Sequence, residues 1–569
     1  MSASSTAEGL APAGGPAALM SSRQVRWTVV GVILAALLSA LDQAIVAVAT
    51  LPIVRDIDPG ASIDLMPWLV TAYMLASTAT QPLYGRISDI FGAKKVFLAA
   101  AMIFVAGSAL CGVSQSMGQL IAARALQGLG AGGLYSVSLI VLASVVAPKD
   151  RAKYQGLAGV VILVSTVLGP VLGGYLTVDH AVLGLHTSWR WIFYVNLPIG
   201  LVGLGVVAFN LKLPTRARSR SLDVLGSLLA MAGTSAVLLF TTWGGNRYDW
   251  TSWQILSLGI GGVVLLGLFV LRQAKAAEPV IPLRLFREPV VAVATPMLFL
   301  VGFALMGGII YVATYLQVVF GYSPTSAGLH MMPLVVGMLG SSIAAGELIS
   351  NKGGYKIYPI IGSAAAVAGL ATLSFMTPDS SYWLLAVGVF LLGIGMGLLM
   401  TILLLAVQNA VPQRDLGTGT TTATYFRTLG QSFGAAIFGA VLSASYDSHI
   451  AGKGVQAPGE HGFQAEKLAH LAAGVRTVVI RAFSDATDTV FMVSAVVLLV
   501  SLALSFFLRE MPLRTISDMD VLDVEYGQLN PEAAAEQAAE QAGDAGRPAH
   551  ADSVGKPVDR SSLRATATE

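Results

Sequence analysis

The chain has 569 residues, of which 55% are hydrophobic and 12% charged, and its mean hydropathy is +0.71. A soluble globular protein carries about 25% charged residues, so this composition excludes a disordered chain and argues against a soluble enzyme. The single cysteine, Cys111, excludes a disulfide scaffold and a cysteine-rich metal site, and the formal net charge of +2 predicts no nucleic-acid partner. A polytopic membrane protein without a cofactor is the class that remains.

Continuous apolar runs recur along the chain. A bilayer core needs about 20 apolar residues per helix, and continuous rather than alternating hydrophobicity predicts helices instead of barrel strands. We therefore expect an all-α membrane protein with about 14 transmembrane helices. The predicted spans are residues 27–50, 66–86, 96–115, 118–140, 155–177, 190–211, 222–243, 253–272, 291–317, 327–349, 355–375, 382–407, 417–446 and 487–508.

Lysine and arginine residues are concentrated in alternate short loops, which sets the predicted orientation. With the amino end inside, the inner loops carry clusters such as Lys94 and Lys95, whereas the short outer loops hold only Arg55, Arg190 and Arg247. An even number of spans returns the carboxyl end to the same side. We expect a multi-pass protein of the cytoplasmic membrane with both termini in the cytoplasm.

Two loops that lie 261 residues apart share one pattern: a glycine, a second glycine seven residues later, and a lysine three further on, starting at Gly85 and again at Gly346. The offset corresponds to eight spans, which predicts two six-helix repeats with two helices inserted between them, and parallel six-helix repeats are a known transporter device. Chance recurrence of glycine and lysine in short turns is the alternative. The predicted segments are a disordered cytoplasmic amino end (1–26), an amino-terminal six-helix bundle (27–211), two inserted helices with linkers (212–290), a carboxyl-terminal six-helix bundle (291–508) with a long outer loop (447–486), and a polar, largely disordered tail (509–569).

Asp42 lies in the middle of the first span, which is otherwise apolar. A carboxylate at the bilayer centre costs about 2.5–3.5 kcal/mol on insertion scales, and burial favours its neutral form. An acid that faces a cavity can therefore take up and release protons as access alternates. A structural aspartate bonded to a neighbouring helix is the alternative interpretation.

Arg124 in the fourth span is the predicted partner of Asp42. With a rise of about 1.5 Å per residue, Asp42 lies roughly 15 Å and Arg124 roughly 9 Å from the outer ends of their spans, in the outer half of one bundle. We expect Arg124 to stabilise the charged form of Asp42 in one state and to release it in another. A snorkelling arginine near the interface is the alternative.

Further candidates come from helix breakers and from polar residues within spans. Proline removes a helix hydrogen bond and glycine admits a neighbouring backbone, so a bend in the fifth span that seals one side of the pathway is a candidate gate, although ordinary helix packing needs the same residues. The candidate gating residues of this span are Gly169, Pro170, Gly173 and Gly174. The candidate substrate-pocket residues are Gln43, Tyr73, Gln127, Tyr315, Gln317 and Arg427.

Five motifs occur in order along the first six spans: LDQAIVAVATLP from Leu41, GRISDIFGAKK from Gly85, LIAARALQGLGA from Leu120, STVLGPVLGG from Ser165 and WRWIFYVNLPIG from Trp189. Together they resemble the major facilitator superfamily, specifically its fourteen-span drug:proton antiporter family of multidrug and antibiotic efflux exporters, over roughly residues 27–510. The chain departs from the usual pattern by carrying a serine where the span 5 motif opens with glycine, and less charge in the loop after span 2. These departures argue against copying a substrate preference from any one member.

The resemblance implies proton-coupled export of small hydrophobic, amphipathic or cationic drugs, antibiotics or metabolites by a monomer that binds its small-molecule substrate, protons and membrane lipid. It also implies that the loop after span 2 pairs across to the other half and latches the outward-open state. The residues of this candidate gate are Gly85, Asp89, Gly92, Lys94 and Lys95.

Other functions are weaker alternatives. A proton-coupled uptake symporter, or a lipid or metabolite transporter of the same fold, fits the same features apart from the span 5 motif. An ATP-driven pump is disfavoured because the sequence lacks a G-x-x-x-x-G-K-[ST] phosphate loop. A membrane-embedded enzyme is disfavoured because the 7 histidines are scattered along the chain.

Overall fold

The computed structural model describes residues 20–57, 67–146, 188–212, 222–245, 247–451 and 473–513, together with scattered positions between 151 and 186. Two-residue strands, Ala181–Val182 and Leu185–His186, pair antiparallel. The α-helices are α1 (Ser22–Ile57), α2 (Trp68–Phe91), α3 (Ala93–Val113), α4 (Met117–Val145), α5 (Trp191–Tyr194), α6 (Asn196–Asn210), α7 (Val224–Trp243), α8 (Trp253–Lys275), α9 (Pro289–Val318), α10 (Pro324–His330), α11 (Met332–Lys352), α12 (Ile357–Leu373), α13 (Tyr382–Ala410), α14 (Leu416–Ile450) and α15 (Ala473–Phe507). Short 3₁₀ turns, Leu283–Arg287 and Gln413–Asp415, precede α9 and α14.

The helices are those of a membrane protein. Among the described residues, ten helices are long and apolar enough to cross a bilayer, and α12 is a shorter apolar helix. Helices α2 and α14 fall outside this set because they carry polar side chains, and these two helices pack against each other. The predicted all-α membrane class is confirmed.

The helices form two bundles that meet along a seam. In the amino-terminal bundle α1 and α3 pack on α4 and α6, and α2 packs on α4; in the carboxyl-terminal bundle α9 packs on α13, α14 and α15, while α12 and α11 pack on α13. The seam consists of α2 and α4 against α14. The two inserted helices, α7 and α8, pack on each other, and α7 also contacts α2 and α14 beside the seam.

The two aligned loops share one backbone requirement. Helix α2 ends at Phe91 and α3 begins at Ala93, so Gly92 alone forms the turn with φ 88°. The equivalent residue, Gly353, ends α11 with φ 84°. Positive φ is cheap only for glycine, which explains why glycine recurs at this spacing. The predicted second span, 66–86, ends earlier than the helix does, because residues 85–91 complete α2 and the turn follows at Gly92.

The predicted outer loop 447–486 is also too long. Helix α14 continues to Ile450 and α15 already begins at Ala473. The predicted loop includes Arg476 and Arg481 because charged residues interrupt an apolar run. In the structure both residues belong to the first, more polar turns of α15. Residues 452–472, the amino end 1–19 and the tail from 514 lie outside the described residues, so the predictions for these segments stay predictions.

The two turn glycines give a test of this backbone requirement. Gly353 lies near the left-handed helical region, where an alanine costs about 1–2 kcal/mol, whereas Gly92 combines φ 88° with ψ 138°, close to a region that only glycine occupies. We expect Gly92→Ala to lower the thermal midpoint of the detergent-solubilised protein more than Gly353→Ala does. Gly340→Ala, at an open position within α11, is the control and should be neutral or stabilising because alanine favours helix. Equal effects at both turns would contradict this interpretation.

Candidate functional site

Asp42 lies fully buried inside the amino-terminal bundle. Its Oδ2 accepts a hydrogen bond from Arg124 Nη1 at 2.6 Å, and its Oδ1 accepts from Gln127 Nε2 at 2.9 Å and from Asn196 Nδ2 at 2.6 Å. Arg124 and Gln127 are on α4 and Asn196 begins α6, so three helices converge on one carboxylate. One charged and two amide donors match the ionised form of this carboxylate.

Arg124 is buried as completely as its partner. Its Nε donates to the Leu69 carbonyl oxygen at 3.0 Å, and its Nη1 also donates to Gln127 Oε1 at 2.7 Å. The Tyr73 ring covers the guanidinium, with 4.3 Å from Cζ to the ring centroid. Nη2 has no hydrogen-bond partner among the described residues. Because both charges are out of water, neither is tolerable without the other.

Ser108 on α3 connects the groups around the ion pair. Its hydroxyl accepts from Gln127 Nε2 at 3.1 Å and from Asn196 Nδ2 at 3.0 Å, and it donates to the Phe193 carbonyl oxygen at 2.9 Å. Sequence reasoning did not select Asn196 or Ser108 as site residues. Both are polar residues within apolar runs, and this pattern, which identified Asp42, could also have indicated them.

A cavity of about 320 Å³ lies between the two bundles, and residues of both halves line it. Tyr73 lines this cavity while its ring lies on Arg124, so this one side chain stands between the cavity and the ion pair. Its hydroxyl donates to the Ser39 carbonyl oxygen at 3.2 Å and hydrogen-bonds Ser39 Oγ at 3.0 Å. Asp42 therefore does not face the cavity directly but lies behind its wall, and among the described lining residues the charged one is Arg427.

Three of the six predicted pocket residues line the cavity, namely Gln43, Tyr73 and Arg427. The other three do not. Gln127 belongs to the hydrogen-bond network of Asp42, Tyr315 bonds Ser484 Oγ at 3.1 Å within the carboxyl-terminal bundle, and Gln317 Nε2 donates to the Ala313 carbonyl oxygen of its own helix at 3.2 Å. A continuous apolar run does not reveal which face of the helix a polar residue occupies, so the sequence alone could not place these three side chains.

Asp89, in the last turn of α2, joins the two halves at the start of α14. Its Oδ1 accepts from the Gly417 backbone N–H at 2.9 Å, and its Oδ2 accepts from Thr418 N at 2.9 Å and Oγ1 at 2.6 Å. A carboxylate at a helix N-terminus satisfies free N–H groups and complements the helix dipole. A Cβ on Gly85 would lie 2.7 Å from the Gly417 carbonyl oxygen, so the backbones meet because both residues lack side chains.

The basic residues near this contact differ in their surroundings. Arg86 is buried and forms an ion pair with Glu278, which follows α8. Lys94 and Lys95 lie in the first turn of α3 and form no ion pair with any carboxylate in the described part of the chain. Of this candidate gate, the contacts between halves are therefore made by Asp89 and Gly85.

The fifth span is described only in part. Gly169 lies against α1, where a Cβ on it would be 2.5 Å from the Ala44 Cβ, two residues from Asp42. Gly173 is buried, and Gly174 has open space around it. Pro170 lies outside the described residues, so its predicted bend stays a prediction.

Two helical bundles, a cavity between them and a buried charge pair behind its wall define a polytopic membrane transporter. The family model of the Major Facilitator Superfamily matches residues 32–435, and the chain belongs to this superfamily. It is 37% identical over 510 residues to an uncharacterized MFS-type transporter of Mycobacterium tuberculosis, covering 89% of this chain and 72% of the relative.

Two relatives from Bacillus subtilis carry functional names. The multidrug transporter protein MdtP is 34% identical over 418 residues, covering 73% of this chain and 75% of the relative. Multidrug resistance protein 3 is 31% identical over 508 residues, covering 87% of this chain and 97% of the relative. These relatives support membership among the drug exporters of the superfamily.

Solved structures agree on the fold. The proton:xylose symporter XylE superposes with a TM-score of 0.57 at 15% identity, covering 88% of this chain and 99% of that one. The human organic anion transporter MFSD10 superposes with a TM-score of 0.56 at 17% identity, covering 84% of this chain and 99% of that one. At these identities the likeness concerns the fold alone.

The contact between Asp89 and α14 predicts that access of a solvent-borne reagent to the central cavity depends on this carboxylate. Asp89→Asn removes the charge from a helix cap that contributes about 1–2 kcal/mol, so the side that this contact closes, which is cytoplasmic in the predicted orientation, should open about five to thirty times more often. We expect a membrane-impermeant maleimide, added to inverted vesicles, to label the cavity-lining position Thr424→Cys faster by that factor in a Cys111→Ser chain. Asp56→Asn, at the exposed end of α1, is the matched control. An unchanged labelling rate would show that Asp89 does not hold the halves together.

Proposed function

We propose that this transporter is a proton-coupled antiporter that exports small amphipathic molecules across the cytoplasmic membrane. The observation that carries the proposal is the buried Asp42–Arg124 pair, separated from the central cavity by the Tyr73 ring. Protons and substrate would then act on opposite sides of one side chain.

Proton uptake changes the balance of charge inside the bundle. When a proton neutralises Asp42, Arg124 keeps its charge in a buried place, and removing one partner of a buried pair costs about 3–5 kcal/mol. Arg124 Nη2 is already buried without a hydrogen-bond partner among the described residues, so the paired state is itself incompletely satisfied. Protonation therefore favours a rearrangement in which Arg124 finds other partners.

Tyr73 transmits that rearrangement to the cavity. Its ring rests on the guanidinium and its hydroxyl is bonded to Ser39 of α1, so a shift of Arg124 relative to α1 moves a wall of the substrate cavity. A bound substrate that displaces Tyr73 acts on Arg124 in the reverse direction. Coupling between two ligands is reciprocal in this way.

The gradient supplies enough energy for such a cycle. One proton moving down about 100 mV releases roughly 2.3 kcal/mol, and each pH unit adds about 1.4 kcal/mol. Export rather than uptake is supported by the name of the Bacillus subtilis multidrug resistance protein 3, because resistance to a drug follows from its removal. An uptake symporter would use the same pair, and the direction of substrate movement in the assay below separates the two.

Neutralising Asp42 should uncouple transport. In proteoliposomes we expect the parent chain to release protons when substrate is added and to concentrate a panel of drugs against their gradient, and we expect Asp42→Asn to lose both activities. Asp56→Asn, an exposed acid on the same helix, should keep both. An Asp42→Asn protein that still accumulates a drug against its gradient would refute the proposal.

Removing one donor to Asp42 should weaken the network that holds the ion pair. Asn196→Leu deletes a hydrogen bond of 2.6 Å to the carboxylate, and a bond to a charged group contributes about 1.5–3 kcal/mol. We therefore expect Asn196→Leu to lower the thermal midpoint of the detergent-solubilised protein and to reduce substrate-induced proton release in proteoliposomes. Asn210→Leu, in the last turn of the same helix with a hydrogen bond to the Val206 carbonyl oxygen, should change neither quantity. Unchanged proton release in a folded Asn196→Leu protein would contradict this role of Asn196.

A further inference from the structure

The charge that faces the central cavity is positive. Among the described residues that line it, Arg427 alone carries a formal charge. Asp42 lies behind Tyr73 and is neutralised by Arg124. A substrate in the cavity therefore meets an arginine and no carboxylate.

Arg427 has no counter-charge among the described residues around it. It is partly buried, and its Nη2 donates to the Tyr135 hydroxyl at 2.8 Å, with 5.5 Å from Cζ to the Tyr135 ring centroid. No carboxylate lies within ion-pair distance of it in the described part of the chain. The partly described fifth span cannot supply one, because residues 154–178 contain no acidic and no basic residue.

An unpaired guanidinium at this depth favours an anionic ligand. Arg427 faces the cavity with one neutral hydroxyl as its hydrogen-bond partner among the described residues, so most of its donors are open to a ligand. A ligand that fills the cavity displaces water from this charge, and this displacement is costly unless the ligand itself pairs with the charge. The planar fork of arginine binds a carboxylate through two parallel hydrogen bonds. A cationic compound in the same place would be repelled by Arg427 and would find no acid on the wall.

The rest of the wall determines the shape of the ligand. Four methionines, Met74, Met338, Met396 and Met400, line the cavity. Methionine side chains are flexible and polarisable and adapt to different apolar surfaces. The cavity thus combines one fixed positive charge with an adaptable apolar surface.

We propose that the exported compounds are amphipathic organic anions, anchored through a carboxylate or similar group on Arg427. This inference rests on the proposed export function. The sequence analysis expects hydrophobic, amphipathic or cationic substrates; the inference keeps the amphipathic character and replaces the positive charge by a negative one. The apolar part of the ligand packs against the methionines, and its charged end faces α14.

Two xanthene dyes of opposite charge test this preference: fluorescein, an anion, and rhodamine 6G, a cation. Equilibrium binding is measured by fluorescence polarisation on the purified full chain, without any gradient. We expect the unmodified protein to bind fluorescein at least tenfold more tightly than rhodamine 6G. Arg427→Gln should weaken fluorescein binding by roughly tenfold to a hundredfold, as for a lost hydrogen bond to a charged group, and should not weaken rhodamine binding.

Two variants serve as controls. Arg427→Lys keeps the charge and should weaken fluorescein binding less than Arg427→Gln does. Arg247→Gln removes an exposed arginine beside Trp243 and should change nothing. Tighter binding of rhodamine 6G by the unmodified protein would overturn the proposal even if Arg427→Gln failed to fold, and so would unchanged fluorescein binding in a folded Arg427→Gln protein.

Transport of the same dyes separates this inference from the proposed function. Arg427-dependent binding of fluorescein without its proton-driven movement in inverted vesicles would refute proton-coupled export while the charge preference stands. Proton-driven export of rhodamine 6G that does not depend on Arg427 would support export and overturn the anion preference.

Discussion

The amino-terminal bundle is organised around one buried ion pair. A carboxylate within an apolar bundle is stable only if cations and hydrogen-bond donors reach it, and the donors to Asp42 come from α4 and α6. The helices must therefore approach closely, and small residues allow this. A Cβ on Gly107 of α3 would lie 2.8 Å from the Gln127 Cβ, and one on Gly128 would lie 2.9 Å from the Tyr73 Cα. The glycines of α3 and α4 thus let these helices approach closely enough for the donors to reach Asp42.

The contact between the two halves has a different character. Each bundle has its own apolar packing, and a few apolar side chains such as Leu83 and Ala143 also pack across the seam. Beside them the seam has separate polar contacts: Asp89 with Thr418, Gln81 with Thr428 at 3.4 Å, and Tyr135 with Arg427. A single hydrogen bond contributes about 1 kcal/mol net, so such a seam separates more readily than an interdigitated core. In the orientation predicted from the loop charges, the Asp89 contact lies at the cytoplasmic end of the seam, whereas the other two contacts lie beside the cavity. The arrangement suits two stiff bodies that rock about a central site.

The sequence predicts the class, the repeat and the ion pair for physical reasons that are local. Hydropathy identifies the spans because lipid tolerates little else, and a lone acid such as Asp42 in an apolar run is conspicuous. The Gly85 pattern recurs because a turn with positive φ demands glycine. Gln127 and Tyr315 lie away from the cavity, and the sequence could not place them because their positions depend on how the helices rotate against each other. Asn196 was missed because an amide is less conspicuous than a charge, although the same reasoning applies to it.

The separation of the Asp42–Arg124 pair from the cavity constrains the proposed proton-coupled mechanism. In a transporter whose acid faces the substrate directly, proton and substrate can compete for one carboxylate, and exchange follows from that competition. Here Asp42 is enclosed by Arg124, Gln127 and Asn196, so a ligand in the cavity cannot displace its proton by contact. In the proposed antiporter, exchange then arises from conformation, through Tyr73 and the helices that carry the pair. It follows that the charge of the cavity wall and the affinity for protons can vary independently, so that the same coupling device can serve substrates of very different chemistry.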